Sequence, residues 1–509
     1  MSDTPVTDEL PATTTLSRGQ CILILVVAFL GWMFAGVQMG INSIAHHPAA
    51  SHLLGAGADP ADIGKWSGWL VCAFLFGAAA GGYTFGWIGD RFGRVKAMAI
   101  SIACYSVFSY ISTFSQSIEV FWALRFITCM GIGGMWPNGM ALIQEAWPNT
   151  AKPILAGILG TSANVGIMLF ALLCMNVDVN PDAWRWTLMV GATPILLALV
   201  CWFLVPESPK WLAEQQQTRQ TSGLDQVGLG EVFSPPHLKL TLIGIVLAFV
   251  PLFGGWGVGN WANYWAAEYD EQVTTAAANT EQDAPAKEAT ESAVKTNKTK
   301  SNLKAETSFN RAWPGSISSL LGGALAFFLG RRFSYALLCI LAFTCTQFLY
   351  ALPDPSDESF MFWIRGLGFF SGFFFGWLPL CLPEMFPTRV RSTGSGVSFN
   401  FGRIIVALLL IVTSLALKEY FEGSYDRVGR ICGFMYLAGI VAVLMMPSDK
   451  SDKVVLADRY NSGPVFCPAC EKLWDRDTVL DGREVRCDKC TSYFYVPREP
   501  VEALKHPAT

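Results

Sequence analysis

The chain has 509 residues, 52% of them hydrophobic and only 15% charged, where soluble domains carry about 25% charged residues. A formal net charge of −4 without a basic stripe excludes a nucleic-acid binder. No nucleophile–base set or phosphate loop occurs, so no enzymatic activity is expected. The mean hydropathy of +0.37 points instead to the lipid bilayer as the surrounding medium.

Residues 1–19 are polar and acidic, with Asp3, Asp8 and Glu9, and read as a cytoplasmic tail rather than a cleaved leader. Twelve apolar segments long enough to span follow, at about 20–42, 66–88, 95–114, 118–143, 153–176, 184–205, 238–266, 313–330, 333–352, 360–382, 393–417 and 428–446. Helices are expected because lipid offers no water to backbone N–H and C=O groups. Glycine clusters such as Gly77, Gly81 and Gly82, or Gly366, Gly368 and Gly372, predict close helix–helix contacts.

Lys and Arg fall in the short loops after even-numbered segments: Arg91, Arg94 and Lys96, then Lys152, Lys210, Arg219, Arg331, Arg332, Arg389 and Arg391. This bias predicts an inner-membrane protein with both termini in the cytoplasm. The layout is then a six-helix half over 20–212, a cytoplasmic linker over 213–237 and a second half over 238–448. An insertion over 267–312 is poor in aromatic residues and is expected to be a disordered periplasmic segment.

An internal repeat follows from ordered signposts. Gly93-Arg94, Arg125 and Glu145 are echoed by Gly330-Arg331, Arg365 and Glu384, and Lys152 and Asn164 by Arg391 and Asn400. Two six-helix halves related in this way imply a cavity at their interface. Several of these residues carry a resemblance. Gly86-x-x-x-Asp90-Arg91-x-Gly93-Arg94 resembles the signature of the major facilitator superfamily. Pro206-Glu-Ser-Pro-Lys-Trp-Leu212, Arg125 with Gly131-x-Gly133-Gly134, and Pro383-Glu-Met-Phe-Pro-Thr-Arg-Val-Arg391 resemble its sugar-porter-like branch and that branch's organic-acid and sialate symporters.

The resemblance covers roughly 20–448 and implies an all-α polytopic membrane protein with twelve transmembrane helices in two pseudo-symmetric halves. It also implies transport of a small polar solute of the sugar or organic-acid class by alternating access. Asp90, Arg91 and Arg94 would latch the halves together, or serve as topology determinants alone. Glu145 and Glu384 would pair with loop arginines such as Arg389 and Arg391 at the cytoplasmic gate. In the second-half copy, Phe327 and Phe328 stand where the family's Asp and Arg fall. Ala35 and Gln38 occupy positions where proton-coupled relatives often carry acids, so the obvious protonatable group is missing.

Polar and aromatic residues at bilayer depth supply the candidate solute site: Gln38 (with Asn42), Arg125, Trp136, Asn138, Asn164, Trp256, Asn260, Asn263, Arg365, Trp377 and Asn400. Each also has an ordinary reading as a packing or interfacial residue. A polar linker over 449–462 leads to Cys467-x-x-Cys470, sixteen residues, and Cys487-x-x-Cys490. This spacing suits a structural Zn²⁺ held by four thiolates in a cytoplasmic zinc ribbon over 463–498, with a redox CxxC pair as the rival. A cytoplasmic protein partner for the ribbon follows as a further expectation. The alternative for the whole chain is a non-transporting membrane receptor that signals through the ribbon.

Overall fold

The structure is a computed structural model and describes residues 16–55, 57–147, 152–209, 211–212, 229–235, 237–283, 302–386 and 390–446. It also describes four short strands in the tail. Among the described residues, twelve helices are long and apolar enough to span a membrane. They are α1 (Arg18–Ile44), α2 (Pro60–Phe92), α3 (Arg94–Ser112), α4 (Ile118–Ala146), α5 (Gly157–Asn176), α6 (Arg185–Leu204), α7 (Leu238–Thr275), α8 (Leu303–Leu329), α9 (Arg331–Leu349), α10 (Phe360–Glu384), α11 (Thr393–Leu417) and α12 (Tyr425–Met445).

Local chemistry sets their ends. Ser17 and Gln20 form a reciprocal capping box at α1, Asp59 caps α2 ahead of Pro60, and Ser117 caps α4. Single glycines at positive φ, Gly93 (+112°) and Gly330 (+80°), join α2 to α3 and α8 to α9. Only glycine takes that backbone readily, and each joint turns one helix directly into the next. In α6 the regular ladder breaks at Thr193 and Pro194. Past Pro251 in α7 a π-helical bulge covers Gly254–Val258.

The insertion is helical at both ends, which corrects the expectation of disorder over 267–312. Helix continues from α7 to Asp283 and resumes at Leu303. Alanine and glutamate favour helix, and Asp270, Glu271 and Lys304 find partners across the end of the bundle, so these turns need no apolar stripe. Residues 284–301 lie outside the described ones.

Glycines let the helices touch. A Cβ at Gly81 would strike the Met130 backbone, and one at Gly133 the Ala78 backbone, so α2 and α4 pack at backbone distance. Gly322 and Gly376 do the same for α8 and α10. In the tail, β1 (Val465–Phe466) pairs antiparallel with β2 (Leu473–Trp474), and β3 (Glu484–Arg486) with β4 (Tyr493–Tyr495).

Candidate solute site and gates

Arg125 on α4 is fully buried and meets no carboxylate among the described residues. Its guanidinium donates to Gln38 Oε1 (2.9 Å), the Gln38 carbonyl (3.3 Å) and Asn42 Oδ1 (2.6 Å). Gln38 Nε2 in turn donates to the carbonyls of Gly191 (2.8 Å) and Tyr105 (3.3 Å). Amide dipoles therefore stand in for a counterion, and α1, α3, α4 and α6 are tied into one body. Gln38 and Arg125 are engaged in this network, while Arg125 Nε and Asn42 Nδ2 are buried without a partner.

Helices α2 and α11 run antiparallel across the middle of the bundle. Gly64 faces Tyr425 and Leu417, Gly68 faces Ser414, Cys72 Sγ donates to the Ala407 carbonyl (3.3 Å), and Gly82 faces Asn400. The next pair in this register is Gly86 and Gly396, and neither has any atom within 4 Å of a Cβ built on it. These two helices part beyond Gly82.

Helices α5 and α8 behave alike. Asn302 Nδ2 donates to the Cys174 carbonyl, Asn164 Nδ2 to Ser319 Oγ (2.8 Å), and Thr161 Oγ1 to the Ser316 carbonyl (2.9 Å). Further along, Ile154, in the helical turn that leads into α5, and Leu320, Phe327 and Phe328 of α8 line an open groove with Leu380 and Glu384 of α10. Phe327 and Phe328 are 81% and 79% exposed there.

At the closed end, α1 and its continuation clasp α7 and α8. Ser43 Oγ donates to Asn260 Oδ1 (3.0 Å), His47 Nδ1 lies 3.3 Å from Glu271 Oε1, and Tyr264 donates to the Ser67 carbonyl (3.3 Å). Lys304 Nζ donates to the Val179 carbonyl (2.5 Å). Sequence reasoning passed over His47, Glu271 and Lys304, because the last two fall in the stretch read as disordered.

At the parted end, the Asp90 side chain is 71% exposed and pairs with Arg94 of its own turn, not with the second set of helices. Arg91 lies over the rings of Trp87 and Phe92. Glu384 pairs with Arg331 at the α8–α9 joint, and Glu145 is half-buried. Arg389 and the side chain of Arg391 lie outside the described residues. Glu207, from the Pro206-Glu-Ser-Pro stretch, accepts from the backbone N–H groups of Arg94 (3.0 Å) and Val95 (3.2 Å), fastening the first turn of α3. Burial raises its carboxyl pKa above the ordinary value, against the pull of these donors and Arg94.

The remaining candidates divide. Half-buried Asn164 and Asn400 sit at the α5–α8 and α2–α11 contacts, and half-buried Trp136 of α4 packs on Trp32 of α1. Trp256 packs on Phe74 across α7 and α2, with ring centroids 4.3 Å apart, and Asn263 is fully buried with neither amide atom hydrogen-bonded among the described residues. Three candidates have protein partners in this structure. Asn138 donates to the Phe85 and Gly134 carbonyls and wedges α2 against α4. Trp377 is fully buried against Tyr335 and donates to the Arg331 carbonyl. Arg365 is exposed and bonded to Asn310, so it is no counterpart of buried Arg125. Conversely, half-buried Arg311 on α8, inside the stretch read as insertion, donates to the Gly255 carbonyl on the α7 bulge (3.2 Å).

Among the described residues, twelve apolar helices, closed at one end and parted at the other, give the build of a multi-pass membrane protein. Residues 23–237 match the family described as sugar (and other) transporter. The chain is 27% identical over 345 residues to the cis,cis-muconate transport protein of Acinetobacter baylyi, covering 67% of this chain and 76% of that one. It is 24% identical over 330 residues to the sialic acid transporter of Escherichia coli, covering 65% and 72%. The xylose transporter of E. coli in a partially occluded inward-open conformation superposes with a TM-score of 0.61 at 17% identity, covering 85% of this chain and 99% of that one.

Proposed function

We propose that the chain carries a small polar solute of the sugar or organic-acid class across the inner membrane by alternating access, with both termini in the cytoplasm. The observation that carries this reading is the one-sided closure. The α2–α11 and α5–α8 seams hold from the Ser43–Asn260 end to Gly82 and Asn400, then open where Asp90 and Phe327 lie. The positive-charge bias assigns the parted end to the cytoplasm. A solute entering there meets Asn164, Asn400 and Trp136 before reaching the seal around Asn260.

Rocking would then bring Gly86 toward Gly396, close the groove at Phe327 and Phe328, and release the contacts of Ser43, His47 and Lys304. The Arg125–Gln38 network would let the first six helices move as a unit. The measurement is uptake and counterflow in liposomes of purified protein, against labelled sugars, organic acids and sialates, with and without a pH gradient. Solute binding without exchange across the bilayer would replace transport with a receptor role.

We also propose that the tail holds one structural zinc. Cys467 and Cys470 lie outside the described residues, within the segment joining paired β1 and β2. Cys487 and Cys490 lie likewise within the segment joining β3 and β4. A CxxC between the strands of each of two hairpins offers four thiolates and no open coordination position, which fits a structural ion and a docking role for the ribbon. Metal analysis of the full chain should find about one zinc per molecule, lost when Cys467 and Cys487 are replaced by Ser. Cycling of CxxC disulfides without bound metal would favour the redox alternative.

A further inference from the structure

We infer that the solute recognised by this transporter carries a carboxylate, and that Arg311, seated on the glycine bulge of α7, is the residue that receives it. The inference rests on the transport reading and narrows its solute class.

Three arginines lie inside the bundle without a carboxylate partner among the described residues: Arg125, Arg311 and Arg403. An uncompensated cation at bilayer depth is costly, and such groups are retained where they meet a ligand or a set of oriented dipoles. Dipoles and a ring satisfy two of them in part, with Arg125 Nε left buried without an acceptor and Arg403 bonded through Nη1 alone. Arg125 is fully buried and held by three amide oxygens. Arg403 is 7% exposed, donates from Nη1 to the Ala78 carbonyl and Asn400 Oδ1, and stacks on Phe399. Arg311 differs. It is half-buried and makes one hydrogen bond, Nη1 to the Gly255 carbonyl at 3.2 Å. Its Nε and Nη2 have no protein acceptor among the described residues, and neither is enclosed. A guanidinium with two donors open side by side matches a carboxylate bidentately, and a neutral hydroxyl only singly.

The surroundings are built for that side chain. A Cβ at Gly259 would collide with Arg311 Nη1, so the glycine admits the guanidinium. The α7 bulge turns the Gly255 carbonyl toward α8, and Tyr350 OH holds the Val258 carbonyl on the same bulge. Arg311 also stands one helical turn from Gly315, whose carbonyl accepts from Asn164 of α5. The guanidinium itself lies between α7 and α8, one turn from that contact with the first half.

The test uses the full-length purified chain and three matched pairs of probes: benzoate and benzamide, adipate and adipamide, glucuronate and glucose. Binding is read by tryptophan fluorescence. At least one anion is expected to bind about tenfold or more tightly than its neutral partner. Arg311→Gln should abolish that preference, and Arg311→Lys, which keeps charge but loses the fork, should weaken binding about tenfold. Should Arg311→Gln fail to fold, wild-type protein supplies a second reading. The bound anion should slow phenylglyoxal modification of Arg311, followed by mass spectrometry. Neutral members binding as tightly as their anions, no anion binding at all, or anion affinity within about threefold of wild type in Arg311→Gln would overturn the inference. Counterflow separates it from the broader reading. Exchange of a neutral solute alone leaves transport standing and removes the Arg311 role; anion binding at Arg311 without exchange removes transport and upholds the site.

Discussion

The carboxylate of Glu207 takes the N–H groups of Arg94 and Val95, two of the donors that the first turn of α3 would otherwise leave unpaired. Gly93 makes room for it: a Cβ there would overlap the Glu207 carboxylate, and φ of +112° disfavours any other residue. Burial raises the Glu207 pKa, so the folded chain binds that proton more tightly than the unfolded chain does. The cost of the desolvated charge is therefore present above the folded pKa and vanishes as pH falls through it toward the ordinary carboxylate value. Glu207→Gln, which keeps an acceptor and cannot ionise, is expected to melt at or above the wild-type temperature at pH 7 and to flatten this group's pH dependence. Glu207→Ala removes the acceptor and should cost about 1–2 kcal/mol. Melting curves of both variants between pH 5 and pH 7 check the pair; equal losses for Gln and Ala would show that the capping bonds are not what Glu207 supplies.

At the scale of elements, α7 and α8 show where sequence reasoning reached its limit. Most spans were legible because about twenty apolar residues have one stable form in lipid. The continuation of α7 to Asp283 and the start of α8 at Leu303 were not, since Ala, Thr, Glu and Lys without an apolar face also compose disordered segments. Arg311 was lost with that stretch. The glycine cluster from Gly254 to Gly259 was visible as composition, but nothing in it distinguishes a bulge from tight packing. For Asn138 and Trp377, a polar atom in an apolar run signals that a partner is needed without saying that a backbone carbonyl supplies it. The early start of α8 depends on Lys304, which is 7% exposed, takes Asp270 Oδ2 on its backbone N–H, and donates from Nζ to the Val179 carbonyl. Lys304→Met keeps most of the stem and removes the ammonium. It leaves the Val179 carbonyl without its donor and removes the positive charge near Asp270, and is expected to cost about 1–3 kcal/mol. A melting temperature unchanged from wild type would show that this end of α8 is held by packing alone.

For the molecule as a whole, the α2–α11 register converts alternating access into a distance experiment. A Cβ at Gly68 would lie 3.1 Å from Ser414 Cβ, close enough for a disulfide after small adjustment. Gly86 and Gly396, further along the same register, stand apart, each with nothing within 4 Å. The paired substitution Gly68→Cys with Ser414→Cys should therefore cross-link in the resting protein, fix the closed end and stop counterflow until a reductant is added. Gly86→Cys with Gly396→Cys should remain reduced at rest and cross-link only as solute drives that end shut, again stopping exchange. The two bonds report opposite ends of one rocking motion, so no single rigid arrangement of the twelve helices satisfies both. Mass spectrometry of the linked peptides gives the cross-linking, and labelled-solute exchange in liposomes gives the activity. Exchange that continues at the wild-type rate through a formed Gly68–Ser414 bridge would mean that solute crosses without these helices parting, and alternating access about the Gly82–Asn400 contact would have to be abandoned.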